Sequence, residues 1–359
     1  MIGLGLDGTA APRTGEDLPL EALRAYLERE VPELGGDIVV EQFPKGHSNL
    51  TYLLRVGGRE VVLRRPPFGA RIKTGHDMGR EHRVLSGLSE VYDRAPKPIA
   101  FCEDEEVMGA PFYIMERKSG IILRQGVGAS DGLDPDVMGA LSRSLFSNLV
   151  EIHGVDLERA GLSELGRPRG YVERQVTGWT GRYQKAQTDD VRAMEEVATW
   201  LAANMAPDAG AALIHNDYKY DNVVLSPEDP TKIIGVLDWE MATLGDPLMD
   251  LGTSLGYWIQ SDDPETLRLL PVGPTHLPGN MTRLEVVAHY EDASGRTVAH
   301  PVFYYAYALF KIAVIVQQIY ARFVKGITKD PRFAAMGHAV KTLSDQAAGA
   351  IEADRIDSF

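Results

Sequence analysis

Hydrophobic and polar positions repeat with two different periods along this chain, and the change from one period to the other divides it. Near the amino end, Leu20, Leu23 and Leu27 fall on one helical face behind Asp17, which can cap a short helix ended by Pro32 to Gly36. Period-two alternation then takes over in IVVEQF and TYLLRV and, after Gly57-Gly58, in REVVLRRP. Two glycines between alternating β-rich runs predict a hairpin, and Pro66-Pro67 stops its second strand. A helix over residues 77–88 and a further strand pair in PKPIAFCED and PFYIMER complete a small β-rich unit.

Beyond Met115 the period lengthens. Leu141, Leu145, Leu149 and Ile152 form one apolar stripe, and Met194, Val197, Trp200 and Leu201 form another. After a loop rich in Asp, Pro and Gly, helices are expected near 282–290, 302–324 and 333–351. This order predicts an α+β protein of two lobes, a small antiparallel β lobe with one helix and a larger, mainly helical lobe. Residues 1–16 read as a flexible leader, 17–116 as the small lobe and 117–359 as the large one. A ligand cleft is expected between the lobes.

Composition narrows the partners. The 37 Lys+Arg against 51 Asp+Glu give a net charge of −14, which argues against a nucleic-acid or anionic-membrane partner. The single cysteine, Cys102, excludes an intrachain disulfide and a cysteine zinc cluster. The apolar run 302–319 is interrupted by Lys311 and carries Gln317 and Gln318, as suits a buried helix better than a membrane span. The Gly-rich start carries Asp7 and lacks a basic flank, so no secretory signal is expected and the chain reads as soluble and cytoplasmic.

The chemistry concentrates in residues 215–250, HNDYKYDNVVLSPEDPTKIIGVLDWEMATLGDPLMD. Phosphoryl transfer needs an acceptor for the attacking proton, oxygen ligands for a hard cation and donors around the phosphates. Asp217 is the expected base, or the group that orients an attacking hydroxyl, and Asn222 and Asp238 are expected to bind Mg²⁺ through a neutral and a charged oxygen. NVVL and TKIIGVL read as strands joined by SPEDP, so a hairpin would bring Asn222 and Asp238 together. Lys219 is placed to reach a transferred phosphoryl group, with a solvated lysine as the alternative. His215 is expected to shape the loop through backbone carbonyls, Asp250 to brace it, and Asp246 to cap the next helix.

Upstream, Gly46, His47, Ser48 and Asn49 fall at a turn whose N–H groups and Ser48 hydroxyl could cover phosphates, or which is an ordinary hairpin turn. Along VVLRRP, Val61 and Leu63 share one strand face and Val62 and Arg64 the other, so Arg64 is expected to point into the cleft. Glu81 lies on the inward face of the next helix with Met78, Leu85 and Leu88, and Arg64 is its expected partner. By position, Met115 and Glu116 begin the connector that would meet adenine.

With His215, Asp217, Asn222 and Asp238 followed by Trp239, Glu240 and a GDPLMDL run, and with the G-x-S-N-x-T-Y turn, LRRPP and Glu81 upstream, the chain resembles the aminoglycoside phosphotransferase and choline kinase-like family. The resemblance spans about residues 25–325. It implies a protein-kinase-like fold, ATP and Mg²⁺ as cofactors, Asp217 as base, Asn222 and Asp238 as metal ligands, and Arg64 in place of the family's usual lysine. LRRPPFG, LDWEMATLGDPLMDL and FKIAVIVQQIYARF are most similar to phosphotransferase domains related to those fused to acyl-CoA dehydrogenases. That implies a small hydroxylated acceptor such as a hydroxyacyl-CoA-like metabolite; an aminoglycoside kinase and a silent nucleotide-binding relative stay as alternatives. A protein kinase fits poorly, since Asp238-Trp239-Glu240 replaces a DFG triplet.

Overall fold

The alternating amino-terminal segments fold into one antiparallel sheet. The computed structural model describes residues 5–44, 49–68, 77–124, 133–270, 272–328, 330–357 and 359. Strands β1 (Ile38–Gln42), β2 (Leu50–Val56), β3 (Arg59–Arg65), β4 (Pro98–Cys102) and β5 (Phe112–Glu116) pair in the order β1-β2-β3-β5-β4. Gly57 and Gly58 both have positive φ, 56° and 79°, as a two-residue turn from Val56 to Arg59 requires. Helix α1 (Leu20–Glu30) covers the outer sheet face, where Leu23, Tyr26 and Leu27 pack with Val61 and Leu63. Val62 instead joins Met78 and Leu85 of α2 (Met78–Leu88) in the core that continues into the large lobe. The alternation read from VVLRRP is therefore the one that folds.

Two expectations for the amino end are corrected. Pro19, not Asp17, precedes the first turn of α1, no side chain caps it, and Leu20 is exposed. Residues 5–16, expected as a flexible leader, dock on the small lobe. Ala10 exchanges both backbone bonds with Gln42 on edge strand β1, at 2.9 and 2.7 Å, and Asp7 pairs with Arg124 at 3.0 Å. An otherwise open sheet edge supplies the pairing partner.

After a short helix α3 (Glu105–Met108), the large lobe is built from α4 (Pro135–His153), α5 (Tyr171–Ala186), α6 (Arg192–Ala203), strands β6 (Ala212–Ile214), β7 (Val223–Leu225), β8 (Ile233–Val236) and β9 (Thr243–Gly245), then α7 (Pro247–Gly256), α8 (Glu265–Arg268), α9 (Arg283–Ser294), α10 (Pro301–Val324) and α11 (Met336–Ala353). Among the described residues, α10 is the one helix long and apolar enough to cross a membrane, and 78% of its apolar window is buried inside the protein. It is packed against α7, α5 and α11 as a central core helix.

The connector between the lobes is tied down where the chemistry lies. Ile121 exchanges backbone bonds with Leu225 of β7, at 3.0 and 2.8 Å. A Cβ on neighbouring Gly120 would sit 2.3 Å from the Leu225 carbonyl oxygen, so the close approach requires glycine. Gly120→Ala is expected to cost about 1–3 kcal/mol of overpacking, read as a lower midpoint in urea unfolding with unchanged slope.

Candidate active site

A short antiparallel strand pair and a hairpin enclosed between its strands aim the 215–222 loop at the cleft. Strand β6 pairs with β9 from Ala212↔Gly245 to Ile214↔Thr243, and β7 pairs with β8 from Val223↔Val236. The second register, with the Leu237 N–H bonded to the Asn222 carbonyl at 2.8 Å, brings Asn222 beside Asp238 as the sequence pattern predicted. Asn216 and Asp238 both adopt the left-handed backbone region, at φ 67° and 66°. Such positive-φ non-glycine residues persist where surrounding bonds hold them.

Asp250, buried on the first turn of α7, supplies such a bond to Asn216 and another to His215 before it. Its Oδ2 accepts from the His215 N–H at 2.7 Å, its Oδ1 from the Asn216 N–H at 2.6 Å, and His153 of α4 lies 3.1 Å from Oδ2. Burial opposes its charge, but the bond from His153 and the nearby charges more than offset this and hold Asp250 below the usual carboxylate range. His215 shapes the loop as expected. Its Nδ1 accepts from the Asp217 N–H at 3.3 Å, which makes Nε2 the donor to the Leu237 carbonyl at 2.9 Å. Asp246 caps α7 by accepting from the N–H groups of Leu248 and Met249.

Within this frame Asp217 is half-buried and fully engaged. Lys219 Nζ donates to both of its carboxylate oxygens at 2.8 Å, and Asn222 Nδ2 donates to Oδ2 at 2.9 Å and to the Asp217 carbonyl at 2.8 Å. Lys219 also lies 4.4 Å above the Tyr257 ring. Because the Asn222 amide nitrogen is committed to Asp217, its Oδ1 is the atom turned toward other ligands. A neutral amide oxygen and a carboxylate oxygen from Asp238 form a donor set that fits Mg²⁺, which takes few protein oxygens and fills its octahedron with phosphate and water. A small cavity of about 80 Å³ adjoins the loop, lined by Lys219, Asp221, Tyr257, Trp258, Val272 and Thr275 among others.

From the small lobe, Arg64 meets Glu81 as expected, at 2.6 Å, and also reaches Asp238 and Glu240 of the large lobe, each at 2.8 Å. Asn49 Nδ2 donates to the same Glu240 oxygen at 2.7 Å. Burial disfavours the Arg64 charge, but Glu81 and Asp238 outweigh it and hold the guanidinium ionised. Burial, and beyond it the neighbouring Asp238 and Glu240 charges, push Glu81 up to about 7 against the pull of Arg64. For Asp238, 31% exposed at its side chain, burial is again outweighed by Arg64 and the carboxylate is held low. Arg80 adds a further link between the lobes, donating to the Ala242 carbonyl at 2.6 Å and the Leu165 carbonyl at 3.3 Å.

Not every expected residue joins this cluster. Ser48, with Gly46 and His47, lies outside the described residues. Met115 is buried in β5, and the Glu116 N–H, expected on the adenine side, donates to the Lys97 carbonyl at 2.8 Å. The Glu116 carboxylate pairs with Lys118 at 3.1 Å. Sequence reasoning did not single out His153 or Tyr257, and it named Glu240 in the motif without a role. Glu240 adjoins the motif, but its small-lobe partners lie 176 and 191 positions away, and no local pattern announces them.

A sequence model of the phosphotransferase enzyme family matches residues 39–276, and the chain belongs to that family. Among its relatives, acyl-CoA dehydrogenase family member 10 of Mus musculus is 32% identical over 96% of this chain; the chain spans 32% of that relative's length. A solved structure from Ralstonia eutropha JMP134, assigned to the aminoglycoside phosphotransferases, superposes with a TM-score of 0.79 at 30% identity, covering 94% of this chain and 99% of that one. Aminoglycoside phosphotransferase APH(4)-Ia, solved with ADP and hygromycin B, shares the fold with a TM-score of 0.57 at 17% identity, over 92% of this chain and 99% of its own. The fold is thus the two-lobed, protein-kinase-like α+β fold expected from the sequence.

Replacing Asp250 with Asn removes a charged acceptor from two loop amides, at an expected cost of about 1.5–3 kcal/mol. Because the native carboxyl is depressed below its unfolded value of about 3.9, its contribution is fully present above that pH and fades as the native group protonates below it. Urea unfolding from pH 7 to pH 3 should therefore show the wild-type advantage over Asp250→Asn shrinking at the acid end.

Proposed function

We propose that this protein is an ATP- and Mg²⁺-dependent phosphotransferase that moves a phosphoryl group onto a hydroxyl of a small molecule. The observation that carries this reading is the convergence of Asp217, Lys219, Asn222, Asp238 and Arg64 at the cleft between the lobes. Asp217 accepts a hydrogen bond from the attacking hydroxyl and aims its lone pair at phosphorus. Lys219, freed from Asp217 when that hydroxyl arrives, turns its ammonium toward the transferred group. Arg64 and Asn49 would face the nucleotide phosphates, and Asn222 and Asp238 would hold the metal. Mg²⁺ would neutralise charge building on the phosphate oxygens. Arginine at position 64 would bind phosphate through a planar fork rather than as a point charge, in exchange for one of its carboxylate contacts.

For the acceptor, we favour an anionic hydroxylated metabolite such as a hydroxyacyl-CoA over an aminoglycoside. Kinship to acyl-CoA dehydrogenase family members supports this reading. So do Arg167, Arg169, Arg174, Arg182 and Lys185, exposed on and before α5, whose Tyr171 hydroxyl donates to Asn216 at 3.2 Å. A second reading, a silent nucleotide binder, draws on the three carboxylates already bound to Arg64.

Asp217→Asn is expected to lower kcat by about 10²–10⁴-fold while Mg-ADP still raises the melting temperature. Full activity in that variant would exclude Asp217 as base. An ADP-release screen should find turnover with hydroxyacyl-CoAs. Efficient phosphorylation of kanamycin-type amines with none of acyl-CoAs would reverse the acceptor preference, and a Mg-ATP thermal shift without turnover on any acceptor would favour the silent binder.

A further inference from the structure

The buried, largely apolar interior of α10 carries a lysine that the reaction as proposed does not use. Lys311 is 3% exposed. Its Nζ donates to the carbonyl of Asn216 at 3.0 Å and lies 3.4 Å from Thr253 Oγ1 on α7. An ammonium in such a place is costly to desolvate, and an apolar side chain of similar length would fill the space without that cost. Packing alone gives no reason for lysine here.

Asn216 gives one. It is the left-handed residue immediately before Asp217, and each of its polar groups is held from a different direction. Its N–H goes to Asp250 on α7, and its carbonyl to Lys311 on α10. Its side-chain oxygen accepts from Tyr171 on α5, and its amide nitrogen donates to the Met241 carbonyl at 3.1 Å. With φ fixed at 67° by these four contacts, the direction in which the chain enters Asp217 is fixed as well. Asp250 and Lys311, opposite charges on adjacent helices, grip the two ends of one strained residue.

We infer that Lys311 is a positioning residue for Asp217, acting through the Asn216 carbonyl to hold the candidate catalytic loop in its working backbone conformation. The inference rests on the phosphotransferase reading for its purpose, but not for its geometry. The charged groups facing Lys311 are Asp250 on α7, Asp217 and Lys219 in the loop, and Arg182 on α5. Burial lowers the ammonium to about 8, against the pull of the two carboxylates. The loop is therefore held by a charged donor at pH 7 and by a weaker, neutral one as pH rises through that value.

The test uses Lys311→Met and Lys311→Arg in the full chain. In Lys311→Met, hydrogen exchange of the peptide covering residues 213–223 should rise at least about tenfold at pH 7. The melting temperature should hold or increase, because Asp250 keeps His153 and two backbone donors while a buried charge is removed. With water as acceptor, kcat for Mg-ATP hydrolysis should fall at least about tenfold with the KM for ATP unchanged, and Lys311→Arg should restore it. Wild-type kcat should decline as pH rises through about 8, and the decline should be absent in Lys311→Arg.

Unchanged loop exchange in Lys311→Met would overturn the inference. So would a large loss of melting temperature with exchange raised throughout α4 and α7, which marks a merely structural lysine. If Lys311→Met does not fold, wild-type exchange decides: after correction for intrinsic rates, the same peptide must lose protection between pH 7 and 9.5, and constancy refutes the role. Absence of all ATP turnover counts against the phosphotransferase reading, while the exchange result still stands or falls by itself.

Discussion

The Arg64 guanidinium sits where three carboxylates converge, one from its own lobe and two from the other, and burial makes each contact matter. Glu81 comes from α2, while Asp238 and Glu240 come from the turn after β8. Removing any one partner from such a site leaves charge unbalanced in a poorly solvated place, which is why buried pairs are costly to break even where they add little net stability. A lysine would offer one point charge to all three carboxylates. The arginine fork can address them separately, with Nη1 on Glu81 and Nη2 on Asp238 and Glu240. Arginine at position 64 thus has a geometric use here, in registering one lobe against the other.

The large lobe meets that cluster with a loop whose conformation is set from beneath. Asn and Asp tolerate a left-handed backbone better than most residues, and here neighbouring groups hold both in it. Asn216 is held by Asp250, Lys311, Tyr171 and Met241, while the chain around Asp238 is fixed by the β7–β8 register and the bond from His215 to Leu237. The supporting groups come from α4, α5, α7 and α10, so the packing of the helical core is transmitted to a few atoms at the cleft. Strain at the site and stability in the core are in this sense one design.

Much of this was legible in the residues, for reasons that differ by element. The strand faces of VVLRRP follow from period-two alternation, and with them the inward Arg64 and its meeting with Glu81. The proximity of Asn222 and Asp238 follows from two apolar runs around SPEDP. Asp250 as a brace followed from its place in GDPLMDL. What stayed hidden depends on long-range contact: Glu240 binds a small-lobe arginine, and His153 looks like one more residue of an apolar helix stripe until Asp250 is brought to it. Lys311 was visible as a break in an apolar run, but its partner was not. The docked amino-terminal segment carries no periodicity, since its order comes from pairing with an edge strand. Asp17 failed as a cap because Pro19 sets the start of α1 two residues later.

The acceptor is harder to read because charge at the cleft answers two demands at once. Glu81, Asp217, Asp238 and Glu240 face Arg64 and Lys219, so four carboxylates meet two cations. Taken alone, that deficit of positive charge would suit a polycationic antibiotic as well as a divalent metal ion. The acidic groups are, however, already bound to Arg64 and Lys219, while Arg167, Arg169, Arg174, Arg182 and Lys185 are exposed on and before α5. The proposed anionic acceptor thus draws on kinship and on these exposed cations, not on the net charge of −14.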